Sequence, residues 1–140
     1  MATRITDIYS IFLNQIDDDI LALLEPTVKD EMLLIYLKGA ISRFPQCEKD
    51  LTISQTENEI AGDLDITEME ILADGMVLYW LQPKILREDN ITAYITDSDL
   101  SQKSPANLLS KLHKLRTDSE RDLKIKTIAY TYRDFTEGWY

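Results

Sequence analysis

Cysteine and histidine are almost absent: the 140-residue chain holds one of each, Cys47 and His113. A single thiol excludes an intrachain disulfide framework, and one cysteine with one histidine cannot build the usual zinc sites. Glycine and proline are scarce at 4 each, and only Val28 and Val77 are valines. A Leu/Ile-rich, Val-poor mixture with so few turn residues favours helices over a sandwich or barrel. No apolar run approaches the roughly 20 residues that cross a bilayer, and the N-terminal stretch has no basic region leading into an apolar one. Neither a spanning helix nor a secretion signal is expected. Positive charge is short too: 15 bases against 25 acids give a net −10, which argues against general affinity for nucleic-acid phosphates.

What is present points to a folded helical chain. Leu, Ile, Val and Phe make up 40 residues, too many for a disordered segment, and Leu and Ile dominate. The length suits one domain spanning 1–140, because two cores would each be too small to bury much surface. The expectation is a mainly α fold: a small helical bundle with a long C-terminal helix and one short β segment. Residues 1–100 carry 20 acids and 7 bases, while residues 101–140 carry 5 acids and 8 bases. The halves therefore differ in sign, −13 against +3, as an acidic body with a mildly basic tail.

Periodicity places the elements. Ile5, Ile8, Tyr9, Phe12, Leu13 and Ile16 recur at helical spacing, and the exposed run Asp17-Asp18-Asp19 follows. A short apolar segment, Ile20 to Leu24, precedes Pro26, which biases Glu25 away from helix. A second helix is expected from Thr27 or Asp30 as cap, carrying Met32, Leu33, Leu37, Ala40, Ile41 and Phe44 and ended by Pro45. Residues 45–65 are acidic with weak periodicity and read as a long surface loop with at most one short element. Thr67 with Glu70 reads as a capping box, and Ile66 with Ile71 as its hydrophobic staple. The helix they start carries Leu72, Ala73, Met76, Val77, Trp80 and Leu81, and Pro83 is expected to kink or stop it. The alternation Ile91 to Thr96 is the one plausible strand, with a turn at Asp97-Ser98-Asp99. Ser104 as cap and Pro105 at the first position start the last helix, running toward Phe135 with Leu108, Leu112, Leu115 and Leu123 on one stripe. Trp139 and Tyr140 load the chain end with aromatics, so 135–140 reads as a docking tail.

Catalytic chemistry finds no purchase. His113 sits between Leu112 and Lys114 with no serine or cysteine at a spacing that makes a nucleophile pair, and reads as an ordinary helix-surface or core-edge residue. Asp63-Leu64-Asp65 opens like a calcium loop, but Glu68 stands where the sharp turn needs glycine and Asp74 where the loop ends in glutamate. Asp17 to Asp19, and Asp97 with Asp99, are short acidic clusters of the solvated kind. Asn90-Ile91-Thr92 matches the glycosylation pattern without a route to that machinery. Trp80 reads as a core anchor. No catalytic residue, cofactor site or metal site is expected. One function class that charge alone allows is an acidic helical binding protein, a DNA mimic that blocks a basic nucleic-acid-binding partner.

A second reading comes from particular residues. The stretch Asp65-Ile66-Thr67-Glu68-Met69-Glu70-Ile71-Leu72-Ala73, then Met76 and Trp80-Leu81, then Tyr94 and Asp99-Leu100, then Ser104, Ala106-Asn107-Leu108 and Lys111-Leu112, resembles the head–tail connector, or neck adaptor, proteins of tailed bacteriophages. The resemblance covers roughly residues 65–135. It implies a non-enzymatic structural protein of the virion, made in the host bacterial cytoplasm. Such a protein forms a ring of identical subunits on the capsid portal, carries the next neck or tail protein, and surrounds a channel through which DNA passes without specific binding. No membrane is involved. In that setting Tyr132, Arg133, Phe135, Trp139 and Tyr140 are the expected contacts to the portal or an adjacent subunit. The segment holding Tyr94 and Asp99 is expected to help subunits meet.

Overall fold

In the computed structural model, the described residues are 2–16, 21, 23–54, 56–95 and 104–137, with side chains described through 86 and again over 109–132. Four helices are described: α1 (Ile5–Gln15), α2 (Pro26–Ser42), α3 (Ile66–Ile95) and α4 (Ser104–Glu137). Three two-residue strands, β1 (Thr3–Arg4), β2 (Ile53–Ser54) and β3 (Glu59–Ile60), form a small antiparallel sheet in the order β1-β3-β2. Thr3 faces Ile60 and Arg4 faces Glu59 across one pair; Ile53 faces Ile60 and Ser54 faces Glu59 across the other. The fold is mainly α, a small bundle with a long C-terminal helix. No helix among the described residues is long and apolar enough to cross a membrane.

α3 is the hub on which α1, α2 and α4 all pack. Its residues explain why: Ile71, Leu72, Ala73, Met76, Val77, Leu78, Trp80, Leu81 and Ile85 are all buried. Apolar side chains over this span point in every direction around the helix, the pattern of an element surrounded by others. Ile5, Ile8 and Phe12 of α1 and Leu33, Tyr36, Leu37 and Ala40 of α2 join it in one cluster, which Leu123 and Tyr130 of α4 complete. α2 and α3 approach closely at small residues. A Cβ on Gly75 would lie 2.9 Å from that of Ala40, and one on Gly39 would meet the Tyr79 ring at 2.6 Å.

Several expectations shift in detail. The strand expected at Ile91–Thr96 is not one: residues 91–95 continue α3 as helix, and Thr96 lies outside the described residues. Extending a nucleated helix adds a hydrogen bond per residue, whereas a lone strand leaves its ladder groups unpaired. Pro83 does not stop α3 either; a proline removes one backbone donor, and a helix packed over so much of its length absorbs that loss. The β structure lies instead at Thr3–Arg4 and within 45–65, the span read as a surface loop. Asp50 closes its start, where Oδ1 accepts from the Thr52 amide at 3.0 Å and from the Thr52 hydroxyl at 2.6 Å. Asn58 turns the β2–β3 hairpin with φ 54°, a left-handed conformation that asparagine tolerates.

The helix starts are also set differently. α2 begins at Pro26 with Glu25 at the cap position and no side-chain cap, not at Thr27 or Asp30. Proline needs no partner for the amide it lacks. The helix ends at Ser42, before Pro45, in a tightened last turn where the Arg43 and Phe44 amides donate to Ala40 and Ile41. For α3 the capping box falls two residues earlier than Thr67 and Glu70. The Glu68 amide donates to Asp65 Oδ1 at 2.8 Å, and the Asp65 amide donates to Glu68 Oε1 at 2.9 Å. Leu64 rather than Ile66 then precedes the cap, and Leu64 is buried while Ile66 is 62 % exposed. Both frames fit the capping pattern; burial of Leu64 and Glu68 selects one. α4 begins at Ser104 as expected and extends two residues past Phe135.

Candidate functional site

Two kinds of feature stand out, a sealed polar cluster inside and two apolar surfaces outside. The cluster centres on Glu68, which is fully buried in the first turn of α3. Besides the Asp65 amide, Oε1 accepts from Lys49 Nζ at 3.0 Å. Oε2 accepts from the Tyr130 hydroxyl at 2.6 Å and from Cys47 Sγ at 3.7 Å. Lys49 Nζ also donates to the Asp63 carbonyl at 2.9 Å, and the Glu48 amide donates to the Tyr130 oxygen at 3.0 Å. The Tyr130 ring meets Phe44 edge-on with centroids 5.0 Å apart. One carboxylate thereby ties the 44–50 segment, the start of α3 and the middle of α4 together.

Electrostatics fit that fastening role. Burial alone would raise the Glu68 pKa, but the Tyr130 hydroxyl, the Asp65 amide and the Lys49 ammonium outweigh it and hold the carboxyl below its ordinary value. Burial, and then the charge it serves, push the Tyr130 phenol up. Burial also leads the rise of the Cys47 thiol. A carboxylate with its proton withdrawn and a thiol held protonated are stable acceptor and donor, not an acid and a nucleophile poised to react.

A similar fastening holds the other end. Thr3 Oγ1 donates to the Gly62 carbonyl at 2.8 Å and accepts from the Leu64 amide at 2.8 Å, joining β1 to the entry of α3. The Ile5 amide, first in α1, donates to the Asn58 carbonyl at 3.1 Å. Gly62 lies against this junction; a Cβ there would sit 2.7 Å from the Asp50 oxygen. Among the described residues, no group of three or more His, Cys, Asp or Glu side chains converges on a point that could hold a metal ion.

The outer surfaces come from α4 and from the α1–α2 seam. On α4, Ile125, Ile128 and Tyr132 are 57 %, 47 % and 60 % exposed. They recur at i, i+3 and i+7, on the side away from the buried Leu123 and Tyr130. Arg121 and Lys124 flank them. Between α1 and α2, with the β2–β3 hairpin alongside, lies a groove of about 300 Å³ lined by Ile5, Tyr9, Leu34 and Ile53, with Asp30 and Glu31 the charged residues among its described lining. Burial, aided by the nearby Asp30 charge, pushes the Tyr9 hydroxyl up to about 12.

Of the residues expected at an interface, only Tyr132 has a described side chain, and it is exposed on the α4 stripe. Arg133 and Phe135 fall in the last turns of α4 and Tyr94 in the last turn of α3, with their side chains outside the described residues. Asp99, Trp139 and Tyr140 lie wholly outside them, as do Asp17 to Asp19 and Asp97. His113 is exposed on α4, its carbonyl accepting from the Thr117 hydroxyl at 3.0 Å. Trp80 is a buried anchor with Lys84 Nζ 4.8 Å above its ring. Ile125 and Ile128 escape a stripe drawn through Leu108, Leu112, Leu115 and Leu123. Their own spacing with Tyr132, out of phase with that stripe, is the signal that finds them. Comparison with protein-family models, with curated proteins and with solved structures finds no match.

Proposed function

We propose that this chain is a structural subunit of a bacteriophage neck: a homo-oligomeric ring that joins the capsid portal to the tail and surrounds the DNA exit channel. The observation that carries the reading is the resemblance of residues 65–135 to connector proteins. Its supporting physical fact is that most of the residues bearing the likeness, from Ile66 through Leu81 and from Ser104 through Leu112, belong to α3 and α4, the hub helix and its long partner, with Asp65 capping the first. The partners are the portal, neighbouring copies and the next neck or tail protein, and the work is mechanical, without catalysis or cofactor. A net charge of −10 suits a channel wall past which DNA slides, since acidic surfaces repel phosphates. Two unlike outer surfaces on one subunit are what head-to-tail ring contacts require.

The test is the copy number of this chain in purified particles of the source virus, by quantitative mass spectrometry against the major capsid protein. On the order of a dozen copies per particle is the expected result for one closed ring at one vertex. Absence from particles, with abundance in infected cells, overturns the reading and passes the question to the acidic inhibitor. Within the connector reading, deleting 135–140 abolishes attachment to the portal and leaves helix content largely intact, since only the last residues of α4 are lost; retained attachment removes the tail from the interface.

A further inference from the structure

Along the outer face of α2, apolar and charged side chains repeat in step. Val28 and Ile35, seven residues apart, are 41 % and 63 % exposed, while Leu33, Tyr36, Leu37 and Ala40 of the same helix are buried in the core. Seven residues make nearly two turns, so Val28 and Ile35 stand one above the other on a single line. Glu31 and Lys38, both exposed, are also seven apart and form a second line along one flank of the first. Among the described residues neither of them is in an ion pair. On the other flank lie half-buried Met32 and the Tyr79 ring that covers Gly39.

Such a face is complementary to a second copy of itself. When two helices pack antiparallel about a two-fold axis, a flank line of one meets the same line of the other running the opposite way. With the axis passing beside Leu34 and Ile35, Glu31 of each copy lies opposite Lys38 of the other, and the two Ile35 side chains meet at the centre. The contact then holds two pairs of opposite charge around an apolar middle. A parallel pairing sets Glu31 beside Glu31 and Lys38 beside Lys38, and like charge rejects it. Sliding the antiparallel register by one heptad sets one of the two against its own kind as well. Orientation and register are therefore both specified by the same four residues.

We propose that two copies of this chain pair through the outer faces of α2, antiparallel, with Ile35 at the centre and Glu31 of each copy against Lys38 of the other. The helix has 17 residues and is about 25 Å long. The patch it buries is small beside that of a stable dimer, so the pairing is weak and reversible. An isologous contact closes on two copies and does not propagate. It is thus distinct from the contact that builds a ring and does not rest on the ring reading.

The experiment is sedimentation velocity of the full chain up to millimolar concentration at near-physiological salt, where distant charges are screened. Glu31→Lys and Lys38→Glu should each weaken dimerisation roughly tenfold, since each turns both pairs into like-charge contacts. An equimolar mixture of the two should dimerise at least as well as the parent, because both of its cross-pairs are opposite in charge. The double variant carrying both changes should return to the parental value. Net charge alone does not mimic this pattern: Glu31→Lys makes the chain less acidic and Lys38→Glu more so, and a general charge effect would move their association in opposite directions. Ile35→Asp, at an exposed position, should abolish dimerisation while thermal melts show a chain folded like the parent. A parent that stays monomeric overturns the pairing, as does a double variant no better associated than its singles. Larger assemblies that survive Ile35→Asp belong to another surface, and without an Ile35-dependent dimer they overturn it too. Particle copy number tests the ring alone, so the two readings fail separately.

Discussion

Replacing Tyr130 by Phe deletes one oxygen and tests the Glu68 cluster. The phenol donates to Glu68 Oε2 at 2.6 Å and is itself 2 % exposed. Without it, that oxygen keeps only the Cys47 sulfur at 3.7 Å among the two donors described for it, and a thiol is a weak donor. The Glu48 amide also loses its acceptor, but Glu48 is exposed and water replaces it. A hydrogen bond to a buried charge contributes roughly 1.5–3 kcal/mol, so the loss should be about 2 kcal/mol. In a chain of 140 residues that lowers Tm by roughly 6–10 °C. The pH dependence is sharper evidence than the size. The folded Glu68 pKa lies below the ordinary 4.5, so its contribution is present above that value and fades as pH falls through the folded one. The folded Tyr130 pKa lies above the ordinary 10.0, so its contribution is complete below that value and fades as pH rises toward the folded one. The gap between parent and Tyr130→Phe should therefore be widest from about pH 5 to about pH 10 and shrink on either side. Denaturant unfolding at pH 3, 7 and 11 measures it. A gap below about 0.5 kcal/mol at pH 7 refutes the cluster as the fastening of α4.

Other outcomes follow from the same packing. Gly75→Ala should lower stability by about 1–3 kcal/mol in denaturant unfolding, because its new methyl meets the Cβ and backbone of Ala40 at 2.9 and 3.1 Å. Gly39→Ala should also lower stability, by about 1–2 kcal/mol net of the roughly 1 kcal/mol a helix gains from losing a glycine, because its methyl would lie 2.6–2.7 Å from three atoms across the Tyr79 ring face. A double-mutant cycle on Lys126 and Asp74, joined at 2.6 Å and 45 % and 14 % exposed, should return a coupling of about 0.5–1 kcal/mol that falls in 1 M salt. Zero coupling at low salt would remove this pair from the α3–α4 interface energetics.

The sequence by itself determined the helical class, the apolar residues of α3 and the start of α4, with its end placed within two residues. Leu72, Ala73, Met76, Val77, Trp80 and Leu81 announce a buried helix because apolar periodicity is a local property, and Ser104-Pro105 marks a start because capping acts within one turn. Local signals did not separate equivalent frames: Asp65 with Glu68 and Thr67 with Glu70 both satisfy the capping pattern, and only burial of Leu64 and Glu68 against Tyr130, 62 residues away, chose between them. Nor did alternation over Ile91 to Thr96 make a strand, since a strand exists through its partners and none was specified nearby. Two-residue strands at Thr3–Arg4, Ile53–Ser54 and Glu59–Ile60 are too short to pattern, and the pairing of the first with the last spans more than 50 residues. Tertiary structure likewise decided that Ile125, Ile128 and Tyr132 are exposed while Leu123 and Tyr130 are buried, because α4 turns only one side to α3.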